Sequence, residues 1–118
     1  MSIEADLRNC LLPLAGGRVY FDVVPLEVIQ AGVWPAIRLS TPAVTPDNTI
    51  CGSSDLDDYR WQIDLYAPST SSIAALRPQV FAAIEAEFPH AERISDMSDY
   101  DSELKLRRRI IEYGIRAE

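Results

Sequence analysis

Three consecutive arginines, Arg107, Arg108 and Arg109, stand in the segment ELKLRRRIIEYGIR that spans residues 103–116. A guanidinium group stays charged near neutral pH, and its planar fork of donors suits the paired oxygens of carboxylates and phosphates. Three uses are therefore open for this segment. It could hold nucleic acid, contact another protein subunit, or form ion pairs with acidic neighbours on a solvated strand.

The charge of the chain disfavours the first use. The formal net charge is -7, and residues 1–102 carry six arginines against fifteen acidic residues. Such a surface repels phosphates, and the interleaved aromatic side chains of single-strand binders are absent around the arginines. In a strand, Arg107 and Arg109 share one side and Arg108 takes the other, so the three cannot form one patch. A subunit contact and local ion pairing both remain open.

No other residues form a catalytic or metal-binding pattern. The single histidine, His90, follows Pro89 without a nucleophile or acid placed beside it by a motif. The acidic stretch with Asp96, Asp99 and Asp101 lacks the spacing and glycine of a calcium loop, which favours a solvated hairpin turn. Cysteine spacing indicates neither zinc nor a disulfide framework. We therefore expect no enzymatic activity, no cofactor and no bound metal.

Hydrophobic periodicity predicts an α+β fold made of one domain, residues 1–118. The predicted elements follow the order α-β-β-β-α-β-β, with a mostly antiparallel sheet of four to five strands packed by two helices. The helices are expected near residues 3–14, capped by Ser2, and 69–88, where Pro78 should kink the helix or lie in its first turn. The strands are expected at residues 18–24, 34–40, 59–67, 92–97 and 103–116.

Two segments depart from a simple sheet. The connection at residues 41–57 is longer than most loops in compact domains, which indicates a functional loop or an extended hairpin arm. In the last strand the apolar positions change parity, from Leu104 and Leu106 to Ile111 and Tyr113. The change suggests either a bulge near the arginines or a strand buried on both faces, one of them by another subunit.

The N-terminal segment MSIEADLRN lacks the basic and apolar regions of a secretion signal, and no apolar run approaches the ~20 residues of a membrane span. We therefore expect a protein that begins in the cytoplasm and has no membrane partner.

The order of four segments resembles a known family. The segments are GGRVYFDVVP at residues 16–25, WPAIRLS at 34–40, RWQIDLYAPSTSS at 60–72 and RISDMSDYDSELKLRRRIIEYGIR at 93–116. In that order they are similar to small tail-completion proteins of long-tailed phages and prophages, which resemble tail terminators. Together they cover most of the chain, although each motif is short and mostly structural.

The resemblance implies a structural virion assembly protein that forms a ring, commonly a hexamer, at the head-proximal end of the tail tube. The implied partners are further copies of itself, the tail tube protein and the head-connector protein, with DNA only as passing cargo. The implied location is the host cytoplasm during assembly and then the tail neck of the virion.

The resemblance also implies two contact regions. Residues 42–57, with Asp47, Asn48, Asp55 and Asp57, become a lumen-facing or tube-facing arm, and Arg107, Arg108 and Arg109 become ring contacts. The alternative from another class is a small cytoplasmic protein-binding module or subunit of a bacterial complex.

Overall fold

The computed structural model describes residues 3–49 and 52–116, and it confirms the predicted α+β class. The elements in chain order are α1 (Ile3–Leu11), a 3-10 turn (Leu12–Ala15), β1 (Val19–Phe21), α2 (Leu26–Ala31), β2 (Ala36–Thr49), β3 (Gly52–Ala67), α3 (Thr70–Glu87), β4 (Glu92–Asp101) and β5 (Leu106–Arg116). The five strands form one sheet in the order β1-β2-β3-β5-β4.

The sheet is mostly antiparallel, as predicted, with one parallel pair at its edge. Strand β1 pairs in parallel with β2, whereas the β2/β3, β3/β5 and β4/β5 pairs are antiparallel. The segment at residues 25–33, between the first two predicted strands, contains α2, so the described chain has three α-helices rather than the two predicted. Helix α2 has six residues and none is buried, so it leaves no apolar periodicity in the sequence.

The hydrophobic core lies between α1 and α3 and one side of the sheet, which we call the helix face. Alternate residues of each strand point to this face, and the helices contribute one apolar stripe each. The buried cluster contains Leu7 and Leu11 from α1, Ile73, Leu76, Val80 and Ile84 from α3, and Ile37, Leu39, Ile63, Leu65, Ile111 and Tyr113 from the sheet. In the described part of the chain, no helix is both long and apolar enough to cross a membrane.

The long connection between the second and third predicted strands is a hairpin arm. Strands β2 and β3 continue past the core, and their pairing extends to Thr49 and Gly52. The register shifts between Ser40 and Ala43 and again between Pro46 and Asn48, so the arm is irregular. Of the two predictions for residues 41–57, the structure supports the extended arm.

Strand β4 continues through the segment that was expected to be an acidic turn. It ends at Asp101, and the turn lies at residues 102–105 instead. Strand β5 pairs with β3 without a register break from Arg116 to Arg107, so the predicted bulge at the arginines is wrong. The other alternative, a strand buried on both faces, agrees with the structure, because Leu106 is buried on one face and Ile111 on the other within this chain.

Helix α3 runs through Pro78 from Thr70 to Glu87, so the alternative in which it begins near Pro78 is wrong. Its N-cap is Ser69, whose hydroxyl accepts a hydrogen bond of 3.1 Å from the backbone N–H of Ser72. The cap predicted at Ser2 lies outside the described residues. Pro78 and the preceding turn at Ala74 are exposed, so water can solvate the carbonyl that the proline ring displaces.

Substituting Pro78 by Ala is expected to raise the free energy of unfolding by about 2 kcal/mol, because the missing backbone hydrogen bond is restored. Urea denaturation followed by circular dichroism measures the change. The neighbouring exposed substitution Gln79→Ala is the control and should alter stability by less than about 0.5 kcal/mol. A neutral or destabilising Pro78→Ala variant would contradict this account of the helix.

Candidate functional site

The three arginines of β5 lie in two separate environments, as strand alternation predicted. Arg107 and Arg109 point to the helix face, on the same side as the core residue Ile111. Arg108 points to the opposite side of the sheet, which we call the outer face. The two environments differ in burial and in hydrogen bonding.

On the outer face, Arg108 belongs to an ion-pair network centred on a buried carboxylate. The side chain of Asp64 on β3 is fully buried, with an exposed fraction of 0%. Its Oδ2 accepts hydrogen bonds from Arg38 at 2.5 Å and 3.0 Å and from Arg108 at 3.2 Å. Gln62 donates from Nε2 to the same carboxylate at 3.1 Å. We call Arg38, Asp64 and Arg108 the outer-face triad.

The triad joins the three central strands, because Arg38 is on β2, Asp64 on β3 and Arg108 on β5. Both guanidinium groups also lie over the ring of Tyr66, at 5.9 Å and 5.8 Å from its centroid. Burial lowers the pKa of Arg38, but the hydrogen bond to Asp64 and the negative charge of that carboxylate together outweigh burial and raise the pKa above its usual value. The triad therefore links three strands of the sheet through one shared carboxylate.

On the helix face, Arg109 belongs to a second network that joins β5, β4 and α3. Its Nε donates to Oδ1 of Asp96 at 2.5 Å, and Arg77 of α3 donates to Oδ2 of the same carboxylate at 2.5 Å and 2.7 Å. Burial raises the pKa of Asp96, but the bonds from Arg109 and Arg77 outweigh it and hold that pKa below its usual value. Asp96 is thus an ion-pair partner and not part of a solvated turn.

Arg107 differs from both neighbours, because it has no ion pair with any described residue. Its guanidinium lies 5.1 Å from the ring centroid of Tyr100, and its side chain is exposed. Together with Thr70, Arg77, Ser98 and Arg109 it lines a cavity of about 230 Å³ between α3 and β4/β5. Of the three arginines, Arg107 is therefore the one that is free to bind another molecule.

The four other predicted contact residues lie in the arm. The backbones of Asp47 and Asn48 belong to β2, and those of Asp55 and Asp57 belong to β3, where Asp57 pairs with Pro46. Their side chains lie outside the described part of the structure. The chain direction places the arm at the opposite end of the sheet from Arg107, which pairs with Ala67 at the end of β3.

Sequence reasoning missed the acidic partners of the arginines. Asp64 appears in the sequence only as an alternating polar residue of a strand, and Asp96 only as one of several clustered acids. Arg38 and Asp64 pair because β2 and β3 place them directly opposite each other. That pairing depends on strand register, which residue spacing alone does not give. Among the described residues, no group of acidic, histidine or cysteine side chains could hold a metal ion.

Substituting Asp64 by Asn should lower the free energy of unfolding by about 3 kcal/mol, because two guanidinium groups lose the charge of their shared partner. Asp99→Asn is the matched control, since its exposed carboxylate lies 3.5 Å from Arg108 and contributes about 1 kcal/mol or less. Chemical denaturation compares the two variants. If both variants lost the same free energy of unfolding, burial of Asp64 would not strengthen its ion pairs.

The ion pairs of Asp96 should make the free energy of unfolding depend on pH in the acidic range. Its folded pKa is lower than its unfolded pKa of about 3.9, so its contribution is complete above about pH 5 and is lost as pH falls through the folded value. The stability difference between the wild type and Asp96→Asn should therefore be constant from about pH 7 to 5 and shrink below about pH 4. Thermal unfolding across this range measures it. A difference that grows in acid would contradict the assignment.

Comparison with known proteins gives the family. The family model described as "Tail completion protein gp17" matches residues 5–118. A chain from the solved structure "Virion of native gene transfer agent (GTA) particle" shares the fold, with a TM-score of 0.64 and 14% sequence identity, over 98% of this chain and 93% of that chain. The comparison with curated proteins finds no match. The chain belongs to the tail completion protein gp17 family and is a structural protein of phage tail assembly.

Proposed function

We propose that this protein completes the phage tail by forming a ring, of six copies in the commonest arrangement, at the head-proximal end of the tail tube. There it would stop tube growth and present a surface to the head-connector protein. Family membership across residues 5–118 is the observation that carries the proposal. The related fold in a gene transfer agent virion is consistent with a virion component. The single domain of residues 1–118 would assemble in the host cytoplasm and then reside in the tail neck.

The open edge of the sheet supports self-association. Strand β4 has ten residues and pairs on one side only, with β5. It carries the exposed side chains of Ile94, Met97 and Tyr100, with exposed fractions near one half. Edge strands with exposed apolar residues favour contact with a further chain. If the β4 edge of one copy meets a different surface of the next, the interface is of the head-to-tail type that can close into rings.

The charge supports a wall around passing DNA and not a DNA-binding site. With a net charge of -7, the protein repels a polyanion, and the outer-face triad already uses Arg38 and Arg108 internally. Arg109 is likewise occupied by Asp96. The proposed role therefore rests on binding to the tail tube, the connector and other copies, and it includes no enzymatic reaction.

The proposal predicts rings in negative-stain micrographs of the purified protein, alone or after mixing with tail tube protein. Light scattering coupled to size-exclusion chromatography should show a species larger than the 13.2 kDa chain under the same conditions. Assembly on a template is included because a ring can require the tube end to form. A protein that stays monomeric at millimolar concentration and also fails to bind tail tubes would contradict the proposal.

A further inference from the structure

The cavity around Arg107 has the chemistry of a carboxylate acceptor. The residues that line it include Arg77, Arg107, Arg109 and Arg108, the last with its side chain on the outer face, and the hydroxyl-bearing residues Thr70 and Ser98. Asp96 pairs with both Arg77 and Arg109, whereas Arg107 has no ion-pair partner among the described residues. Guanidinium groups and hydroxyl groups that line the same cavity suit an anion with two or more acceptor oxygens.

The size of the cavity limits what can occupy it. At about 230 Å³ it is smaller than the 300–1,000 Å³ typical of cofactor and drug-sized ligand sites. An aspartate or glutamate side chain fits this space. The cavity also adjoins the open edge strand β4 through Ser98, so an extended segment that reaches the edge can place a side chain in it.

The arm of the same protein has the complementary charge. Residues 42–59 contain four acidic residues and no lysine or arginine, and the acidic residues are Asp47, Asp55, Asp57 and Asp58. Opposite charges of this kind favour association between copies and fix their relative orientation.

The arm cannot reach the cavity of its own chain. Strand β3 begins at Gly52, at the tip of the arm, and ends at Ala67, which pairs with Arg107. At ~3.3 Å per residue this strand spans about 50 Å, which agrees with the longest molecular dimension of 50 Å. An arm and a cavity at opposite ends can meet only between two copies.

We propose that the cavity lined by Arg77, Arg107 and Arg109 accepts an aspartate carboxylate from the arm of a second copy of this chain. The inference deepens the proposed ring and rests on it. A pair of copies joined in this way still has one free arm and one free cavity, so further copies can add, and the assembly is a ring when the rotation between neighbours closes. The contact is electrostatic and therefore weakens as salt concentration rises.

Arg107 is the residue to change, because its neighbours also stabilise the fold. Removing Arg109 or Arg77 would leave Asp96 with one partner fewer, and removing Arg108 would weaken the outer-face triad. If all three β5 arginines were replaced, weaker association could result from unfolding as well as from loss of the contact. Arg107→Glu reverses one exposed charge, and a thermal melt verifies that the fold is retained.

The test uses two full-length variants near millimolar concentration at about 0.15 M salt, where screening acts beyond ~8 Å. The cavity variant is Arg107→Glu, and the arm variant combines Asp55→Asn, Asp57→Asn and Asp58→Asn. Each variant alone should associate at least about tenfold more weakly than the wild type. Their equimolar mixture combines one intact arm with one intact cavity, so it should form a dimer and nothing larger. Analytical ultracentrifugation distinguishes these species.

Lys105→Glu is the matched control, since it makes the same charge change two residues away, in the exposed turn outside the cavity. It should associate about as well as the wild type. The inference would be overturned by a mixture that stays monomeric. It would also be overturned if the Lys105→Glu variant associated as weakly as the Arg107→Glu variant. A short DNA duplex that binds the wild type in an Arg107-dependent manner and displaces the second copy would overturn it as well.

The same samples separate this inference from the proposed function. Rings of both variants in micrographs would overturn the cavity contact and leave the ring intact. A dimer from the mixed variants, without wild-type rings on tail tubes, would support the cavity contact and contradict the ring.

Discussion

The fold depends on one buried carboxylate. Asp64 lies at the centre of the sheet with no solvent exposure, and Arg38 and Arg108 bring two positive charges to it from the strands on either side. A buried charge without partners is strongly unfavourable, so the two ion pairs favour the register in which β2 and β5 flank β3. The side chains of the triad cover part of the outer face that no long helix covers. The main hydrophobic cluster lies on the helix face.

This constraint gives three adjacent arginines three different tasks. Arg108 is committed to the outer-face triad, and Arg109 is committed to Asp96 and through it to α3. Arg107 has only the ring of Tyr100 as a partner among the described residues, and it lines the cavity beside the edge strand. A contact surface can therefore be built at this position with little loss of stability. In the proposed contact, folding and assembly would use different residues of the same short segment.

Much of the architecture can be predicted from sequence, because it rests on periodicity. The alternation of Trp61, Ile63 and Leu65 with polar residues predicts a strand with one core face, and the apolar stripe of α3 predicts a covering helix. Strand alternation also divides the arginines correctly. Helix α2 could not be predicted, since it is short and buries nothing, and neither could the parallel pairing of β1, which follows from the return of the chain through that helix.

The candidate site was harder to predict than the fold, because the roles of Arg108 and Arg109 depend on ion-pair partners that are distant in sequence. Asp64 and Arg108 are 44 residues apart, and only strand register brings them together.

The most direct test of the central claim is a cryo-electron microscopy map of the protein bound to a tail tube. The account predicts a ring in which Arg107 lies within hydrogen-bonding distance of a carboxylate of the next subunit, while Arg108 stays paired with Asp64. A ring in which Arg107 faces solvent and Arg108 makes the contact between subunits would contradict it.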